Sequence, residues 1–157
     1  MGFFSRLFKG RDWHNAGVSI SKQDLLTALM EHTAGLNPRI RLRDGKKPLR
    51  LLSDEEFRAL CDLRWKKYGP LPEYNKEDMD CDDIHEVWIG QIKKLWREKA
   101  RTGEALGLGW TWIRALGSST SHWTGWRMND KRKLFILESA KEDTYTKTIS
   151  RMWEIAQ

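Results

Sequence analysis

The sequence predicts an α+β fold in which a long amphipathic helix packs on a small antiparallel sheet. Apolar residues recur near the helical spacing of 3.6 after Cys81, at Ile84, Val87, Trp88, Ile92, Leu95 and Trp96. Apolar and polar residues alternate in 121–128 and again in 134–138, and the turn-forming segment 129–132 separates them. The first pattern predicts the helix, and the second predicts a hairpin that follows it.

Two further helices are predicted closer to the N-terminus from their capping residues. Ser21 and Asp24 are placed to begin one helix, because a serine side chain accepts hydrogen bonds from the first free N–H groups. Ser53 and Glu56 have the spacing of a capping box, and the helix that they begin should end before Gly69.

A basic hairpin is predicted between these two helices. Segments 39–43 and 49–51 alternate apolar and basic residues, and Asp44 and Gly45 are turn formers. The net charge of +6 makes an acidic partner or nucleic acid a candidate ligand of this surface. Its basic residues are Arg39, Arg41, Arg43, Lys46 and Lys47.

Composition indicates an ordinary soluble protein. The chain has 157 residues, of which 39% are hydrophobic and 32% charged, and no apolar run is long enough for a transmembrane helix. It has two cysteines and no secretory leader, which predicts free thiols and a cytoplasmic location, the host cytoplasm if a phage encodes it. Cys61 lies on the apolar face of its helix and is predicted to be buried.

Cys81 is the candidate nucleophile. It follows an acidic segment and begins the long helix, with Asp80 as the expected N-cap. The free N–H groups and the dipole of a helix N-terminus favour the thiolate. Asp82 and Asp83 oppose thiolate formation, so a histidine cation would be needed beside the sulfur.

His122 and Glu138 are the candidate partners of that thiol. If the hairpin is symmetric about Asp130, His122 lies directly opposite Glu138 on one face. A carboxylate that points inward needs a partner, and an imidazole would supply one. Cys81, His122 and Glu138 therefore form the predicted catalytic triad, and His85, one turn along the helix from Cys81, is the rival base.

These motifs resemble the papain-like cysteine peptidase family of the Marasmius agglutinin type, which has small bacterial and phage members. The resemblance rests on the run Asp80-Cys81-Asp82-Asp83, the long helix, the strand with His122, the turn at 129–131 and the strand that ends at Glu138. It covers roughly 74–142. It implies a papain-like arrangement, with the helix that carries Cys81 on a sheet that carries His122 and Glu138.

The resemblance also implies an activity. Cys81 would attack an amide, ester or thioester of a protein or peptide substrate, as a hydrolase or acyl transferase, with His122 as base and Glu138 orienting it. Asn75 stands where papain-like enzymes keep an oxyanion donor. The agglutinin relative is calcium-dependent, but no glycine-punctuated ligand loop is present, so no cofactor is predicted. The acidic residues concerned are Asp78, Asp80, Asp82 and Asp83.

Alternatives stay open at this point. Transglutaminase-like domains and NlpC/P60 peptidases share the Cys-His chemistry, although their motifs differ around His122 and Asp82. The resemblance divides the chain into a support region, 1–73, and a papain-like core, 74–157, which together form one compact domain. The competing function is a catalytically silent binding module of phage type, which binds a host protein or nucleic acid through the basic surface.

Overall fold

A computed structural model describes residues 10–43, 45–75, 81–138 and 143–157, and for Cys81 and Asp143 only the backbone. Three helices occur within these ranges: α1 (Lys22–His32), α2 (Asp54–Tyr68) and α3 (Cys81–Ala100). Nine strands accompany them: β1 (Val18–Ile20), β2 (Arg39–Arg41), β3 (Leu49–Leu51), β4 (Ala105–Leu106), β5 (Leu108–Ala115), β6 (His122–Met128), β7 (Leu134–Glu138), β8 (Asp143–Thr144) and β9 (Ile149–Ala156). The predicted combination of helices and strands is confirmed.

The helices begin where local chemistry predicts. The Ser21 side chain accepts a hydrogen bond from the Asp24 N–H at 3.1 Å. Ser53 and Glu56 make the complete capping box, with hydrogen bonds of 2.9 and 3.1 Å, and α2 ends at Tyr68, directly before Gly69. The long helix begins at Cys81 as predicted, while its expected N-cap, Asp80, lies outside the described residues.

The strands form two mixed sheets. The smaller has the order β1-β3-β4, in which β1 and β3 are antiparallel and β3 and β4 are parallel. The larger has the order β2-β9-β5-β6-β7-β8, and only the β2–β9 pair in it is parallel. The papain-like arrangement and the division at residue 73 stay predictions.

The predicted basic hairpin is wrong. Segment 39–41 pairs with β9 at the edge of the larger sheet, whereas segment 49–51 pairs with β1 and β4 in the smaller one. Alternation directs Ile40 into the core and leaves Arg39 and Arg41 exposed. Pairing with β9 satisfies this alternation as well as pairing in a local hairpin would. A long-range parallel pairing has therefore replaced the local antiparallel one.

The β6–β7 hairpin forms, but its predicted centre is wrong. Gly125 pairs with Leu137 and Met128 with Leu134, so the hairpin is centred on Lys131 rather than Asp130. The reason is a loop in which the Asn129 side chain accepts from two backbone N–H groups, those of residues 131 and 133, at 3.0 and 2.9 Å. Arg132 takes the left-handed conformation, with φ of 59°, that closes such loops.

Two apolar clusters cover the two faces of the larger sheet. Helices α2 and α3 pack on one face through Phe57, Trp88 and Ile92, with Leu108 and Leu137 of the sheet. Helix α1 packs on the other face, and its cluster includes Leu25, Leu29, Ile113, Trp126 and Ile155. Cys61 is buried in the first cluster, as predicted, and forms no disulfide within the described residues.

None of the helices within the described ranges combines the length and the apolar character that a membrane span requires.

Candidate functional site

A cavity of about 280 Å³ opens where the first turn of α3 meets strands β5 and β6. Trp110 of β5 and Trp123 of β6 contribute indole rings, and the first two turns of α3 contribute two carboxylates and an imidazole. Strand β2 contributes a guanidinium at the edge of the sheet. The lining residues are Arg41, Asp82, His85, Glu86, Trp110 and Trp123.

Local structure explains why the two indoles line the cavity. Trp110 pairs with Gly125 across β5 and β6, so no side chain on the neighbouring strand competes for the space beside its ring. Trp123 alternates with Gly125 and therefore lies on the same face. Both indoles are half-buried, which leaves part of each ring accessible from the cavity.

His85 supports the Trp110 wall from behind. Its ring lies 6.4 Å from the Trp110 ring in an edge-on contact and 5.7 Å from the Trp88 ring in a stacked one. Burial lowers the pKa of His85 to about 4, and the positive charge of Lys93 lowers it too, while a hydrogen bond with the Gly109 backbone acts in the opposite direction. A neutral imidazole therefore holds Trp110 in place at physiological pH.

Lys93 completes the positive side of this region. Its ammonium lies 5.7 Å from the centre of the Trp110 ring. Burial, with the positive charges of Arg43 and Arg97, lowers the pKa of Lys93 to about 8. Arg41 forms an ion pair with Glu154 of the neighbouring strand, which fixes its guanidinium at the cavity edge.

The pKa of His85 makes the stability of the protein depend on pH. The unfolded chain takes up a proton near pH 6.5, but the folded chain does not until about pH 4, so stability is lost as pH falls through that window. We expect the free energy of unfolding to fall by about 2 kcal/mol between pH 7 and pH 5 from this group. Urea denaturation at both pH values measures the loss.

His85→Asn is the comparison for that experiment, because it removes the titrating group and keeps a polar side chain. The variant should lose about 2 kcal/mol less than the wild type between the same two pH values, whatever its stability at pH 7. An identical loss in both proteins would show that His85 does not titrate as its burial requires.

His122 lies on the α1 side of the larger sheet. His122 pairs with Ile113, which belongs to the α1 side of the sheet, and its ring lies 5.9 Å from that of Tyr145. Burial lowers the pKa of His122, Lys147 lowers it further, and Glu138 opposes them. Helix α3, which begins at Cys81, packs on the opposite face.

Glu138 is not directly opposite His122. Continuing the observed register places Glu138 opposite Thr124, so His122 is its diagonal neighbour on the same face. The Cys81 side chain lies outside the described residues, and Asn75 is exposed on the segment that leads to α3. The catalytic roles of these residues, and the oxyanion role of Asn75, stay predictions.

The metal hypothesis concerns the acidic segment before α3. Among the described residues, no group of three or more His, Cys, Asp and Glu side chains could hold a metal ion. Asp78 and Asp80 lie outside the described residues, Asp82 lines the cavity, and Asp83 is exposed.

Comparison with known proteins places the fold. No family model matches the chain, and no curated protein matches it. A solved structure described as the PSL1a–E64 complex matches with a TM-score of 0.68 at 17% identity, over 88% of this chain and 50% of that one. Polyporus squamosus lectin, bound to the human-type influenza-binding epitope Neu5Acα2-6Galβ1-4GlcNAc, matches with a TM-score of 0.66 at 17% identity, over 86% and 49%.

The chain shares its fold with parts of these two solved structures. It spans about half the length of the solved chains that it matches. The comparison corrects the family assignment made from the residues around Cys81, because one neighbour is described as a lectin bound to a glycan and neither is described as a peptidase. The predicted cysteine hydrolase or acyl transferase, its protein substrate and the thiol-protease and transglutaminase-like interpretations are corrected with it. The competing prediction, a binding module, agrees better with these neighbours.

Sequence reasoning missed the indoles of the cavity. Trp110 and Trp123 stand on periodic segments, where a tryptophan is by default a core residue. The available signal is Gly125, which has no side chain. It lies two residues after Trp123 on β6 and directly opposite Trp110 on β5. It becomes informative only when the register of β5 and β6 is known.

Proposed function

We propose that the protein is a carbohydrate-binding module and that the cavity between α3, β5 and β6 is its ligand site. The solved lectin of similar fold carries a bound glycan, which supports the ligand class. The observation that carries the proposal is the combination, within one cavity, of two half-buried indoles with two carboxylates and a guanidinium. Each of these groups has a counterpart on a sugar.

The indoles suit the apolar face of a sugar ring. The C–H groups on one face of a pyranose carry partial positive charge, and the face of an indole is negative, so the two surfaces attract each other. Trp110 is held by the His85 ring on one side and by the Lys93 ammonium on another, and does not need to be ordered when the ligand binds. A preorganised wall of this kind costs little entropy on binding.

The charged groups suit the hydroxyls. Carboxylates accept hydrogen bonds from sugar O–H groups, and Asp82 and Glu86 are both exposed at the cavity. Arg41 donates hydrogen bonds and is already oriented by Glu154. A volume of about 280 Å³ is near the lower end of small-molecule sites, which suits the terminal residues of a glycan rather than a long segment.

The proposal is tested by screening the protein on a glycan array and titrating the best glycan by calorimetry. We expect Trp110→Ala to weaken its affinity roughly 30-fold, or about 2 kcal/mol, because a tryptophan wall is a typical hot spot. Trp65→Ala is the matched control, since Trp65 is 57% exposed on α2 and lies outside the cavity. Equal weakening by both variants would contradict the assignment of the cavity.

A second pair of variants avoids any loss of packing. Glu86 is exposed on α3, and Glu86→Gln removes one charged acceptor while keeping the size of the side chain. The expected loss is roughly tenfold, the usual effect of a hydrogen bond to a charged group. Glu31→Gln, an exposed glutamate of α1, is the control and should bind like the wild type.

A further inference from the structure

A second aromatic cluster lies beyond the cavity on the same face of the larger sheet. The Trp112 ring stacks on the Trp123 ring, with 5.6 Å between centres and 19° between planes, and lies 5.0 Å from the Trp153 ring. We call these three residues the tryptophan platform. Trp112 is 37% exposed, so part of its ring is accessible at the surface.

A bulge between β5 and β9, at Trp112 and Ile113, creates the platform. Trp112 pairs with Glu154 and Ile113 with Met152, so Trp153 is an extra residue without a partner on β5. The extra residue turns its side chain to the same face as Trp112, where the two rings meet. Bulges re-aim side chains in this way next to functional sites.

Two arginines lie next to each other at the platform, and their positive charges repel. Arg114 and Arg151 are direct cross-strand partners, and like charges in that position repel each other. Their guanidinium carbons lie 5.3 and 4.9 Å from the centre of the Trp153 ring. No carboxylate in the described part of the chain forms an ion pair with either arginine. An anionic ligand would relieve this repulsion.

We propose that the tryptophan platform, with Arg114 and Arg151, binds single-stranded nucleic acid. A single strand offers a flat base and a phosphate at each nucleotide, and the platform offers stacking surfaces beside two guanidiniums that suit phosphate oxygens. The net charge of +6 attracts such a polyanion from a distance. This activity is separate from glycan binding in the cavity, although Trp123 borders both surfaces.

The test uses the whole chain and a fluorescein-labelled 12-nucleotide oligo(dT), with affinity measured by anisotropy over a range of salt concentrations. Arg114→Gln with Arg151→Gln should weaken binding and lower the slope of log affinity against log salt by roughly 1.4, about 0.7 for each phosphate that an arginine no longer neutralises. Arg58→Gln with Lys131→Gln is the control of equal charge change at exposed positions away from the platform. Its slope should be that of the wild type.

A second measurement separates stacking from charge alone. An abasic oligonucleotide of the same length keeps the phosphates and removes the bases, and it should bind roughly 5- to 150-fold more weakly, which is the range for loss of one stacked base. Trp153→Ala should weaken binding of oligo(dT) within the same range, with circular dichroism to verify folding. Equal affinity for the abasic strand, or for a heparin fragment, would overturn the proposal in favour of a nonspecific polyanion surface. Equal changes in affinity and salt slope for the arginine double variant and its control would also overturn the proposal.

Discussion

Trp126→Ala is expected to lower the free energy of unfolding by about 3–5 kcal/mol, the range for removal of a buried aromatic side chain. Trp126 lies at the centre of the α1 side of the sheet and has no solvent exposure. Its indole N–H donates a hydrogen bond of 2.8 Å to the Ala156 carbonyl on β9. The substitution therefore leaves a cavity in the core and removes a contact between strands that are not neighbours.

Trp126→Phe separates these two effects, because it keeps most of the volume and removes the donor. It should cost about 1–3 kcal/mol, the penalty for a buried carbonyl that loses its partner. Urea denaturation measures both values, and Trp65→Ala, at an exposed position, should change the stability by less than about 1 kcal/mol. A loss below that limit for Trp126→Ala would contradict the described burial of Trp126 and its hydrogen bond to β9.

Gly109→Ala is expected to have a comparably large effect, for a different reason. A Cβ atom at this position would lie 2.0 Å from the Ala156 carbonyl oxygen and 2.7 Å from Gln157 Cα. Both are backbone atoms, so relief requires β5 to move away from the end of β9. We expect a loss of about 3 kcal/mol or more, at the upper end for overpacked cores.

Gly90→Ala is the matched control with the opposite sign. Gly90 is exposed within α3, and nothing lies within 4 Å of a Cβ atom added there. Alanine should raise the free energy of unfolding by about 0.5–1 kcal/mol, because it reduces the entropy of the unfolded chain and favours the helix. Thermal or urea denaturation of both variants tests the pair, and destabilisation of equal size would contradict the close approach at Gly109.

Helices could be predicted here because their determinants are local. Ser21 with Asp24, and Ser53 with Glu56, satisfy N–H groups only three residues away, and the apolar stripe of α3 is visible within twenty residues of sequence. The β6–β7 hairpin was also predicted, but its register depends on which backbone N–H groups donate hydrogen bonds to the Asn129 side chain. Turn geometry of that kind is not determined by alternation.

Long-range pairing could not be predicted. Segment 39–41 alternates in a way that fits any antiparallel or parallel neighbour, and its partner on β9 is more than a hundred residues away. The cavity depends on that pairing, because Arg41 reaches it from β2. Chemical reasoning on single residues selected Cys81, His122 and Glu138, whereas the indoles that line the cavity converge only after β5, β6 and α3 have assembled.

A crystal structure of the protein with the best glycan from the array tests the central claim most directly. The account predicts a sugar ring in the cavity, packed against Trp110 or Trp123, with its hydroxyls within hydrogen-bond distance of Asp82, Glu86 or Arg41. The control crystal would contain Trp110→Ala soaked under the same conditions, and it should show no ordered sugar there. A glycan bound elsewhere on the chain, with the cavity empty in the wild-type crystal, would contradict the account.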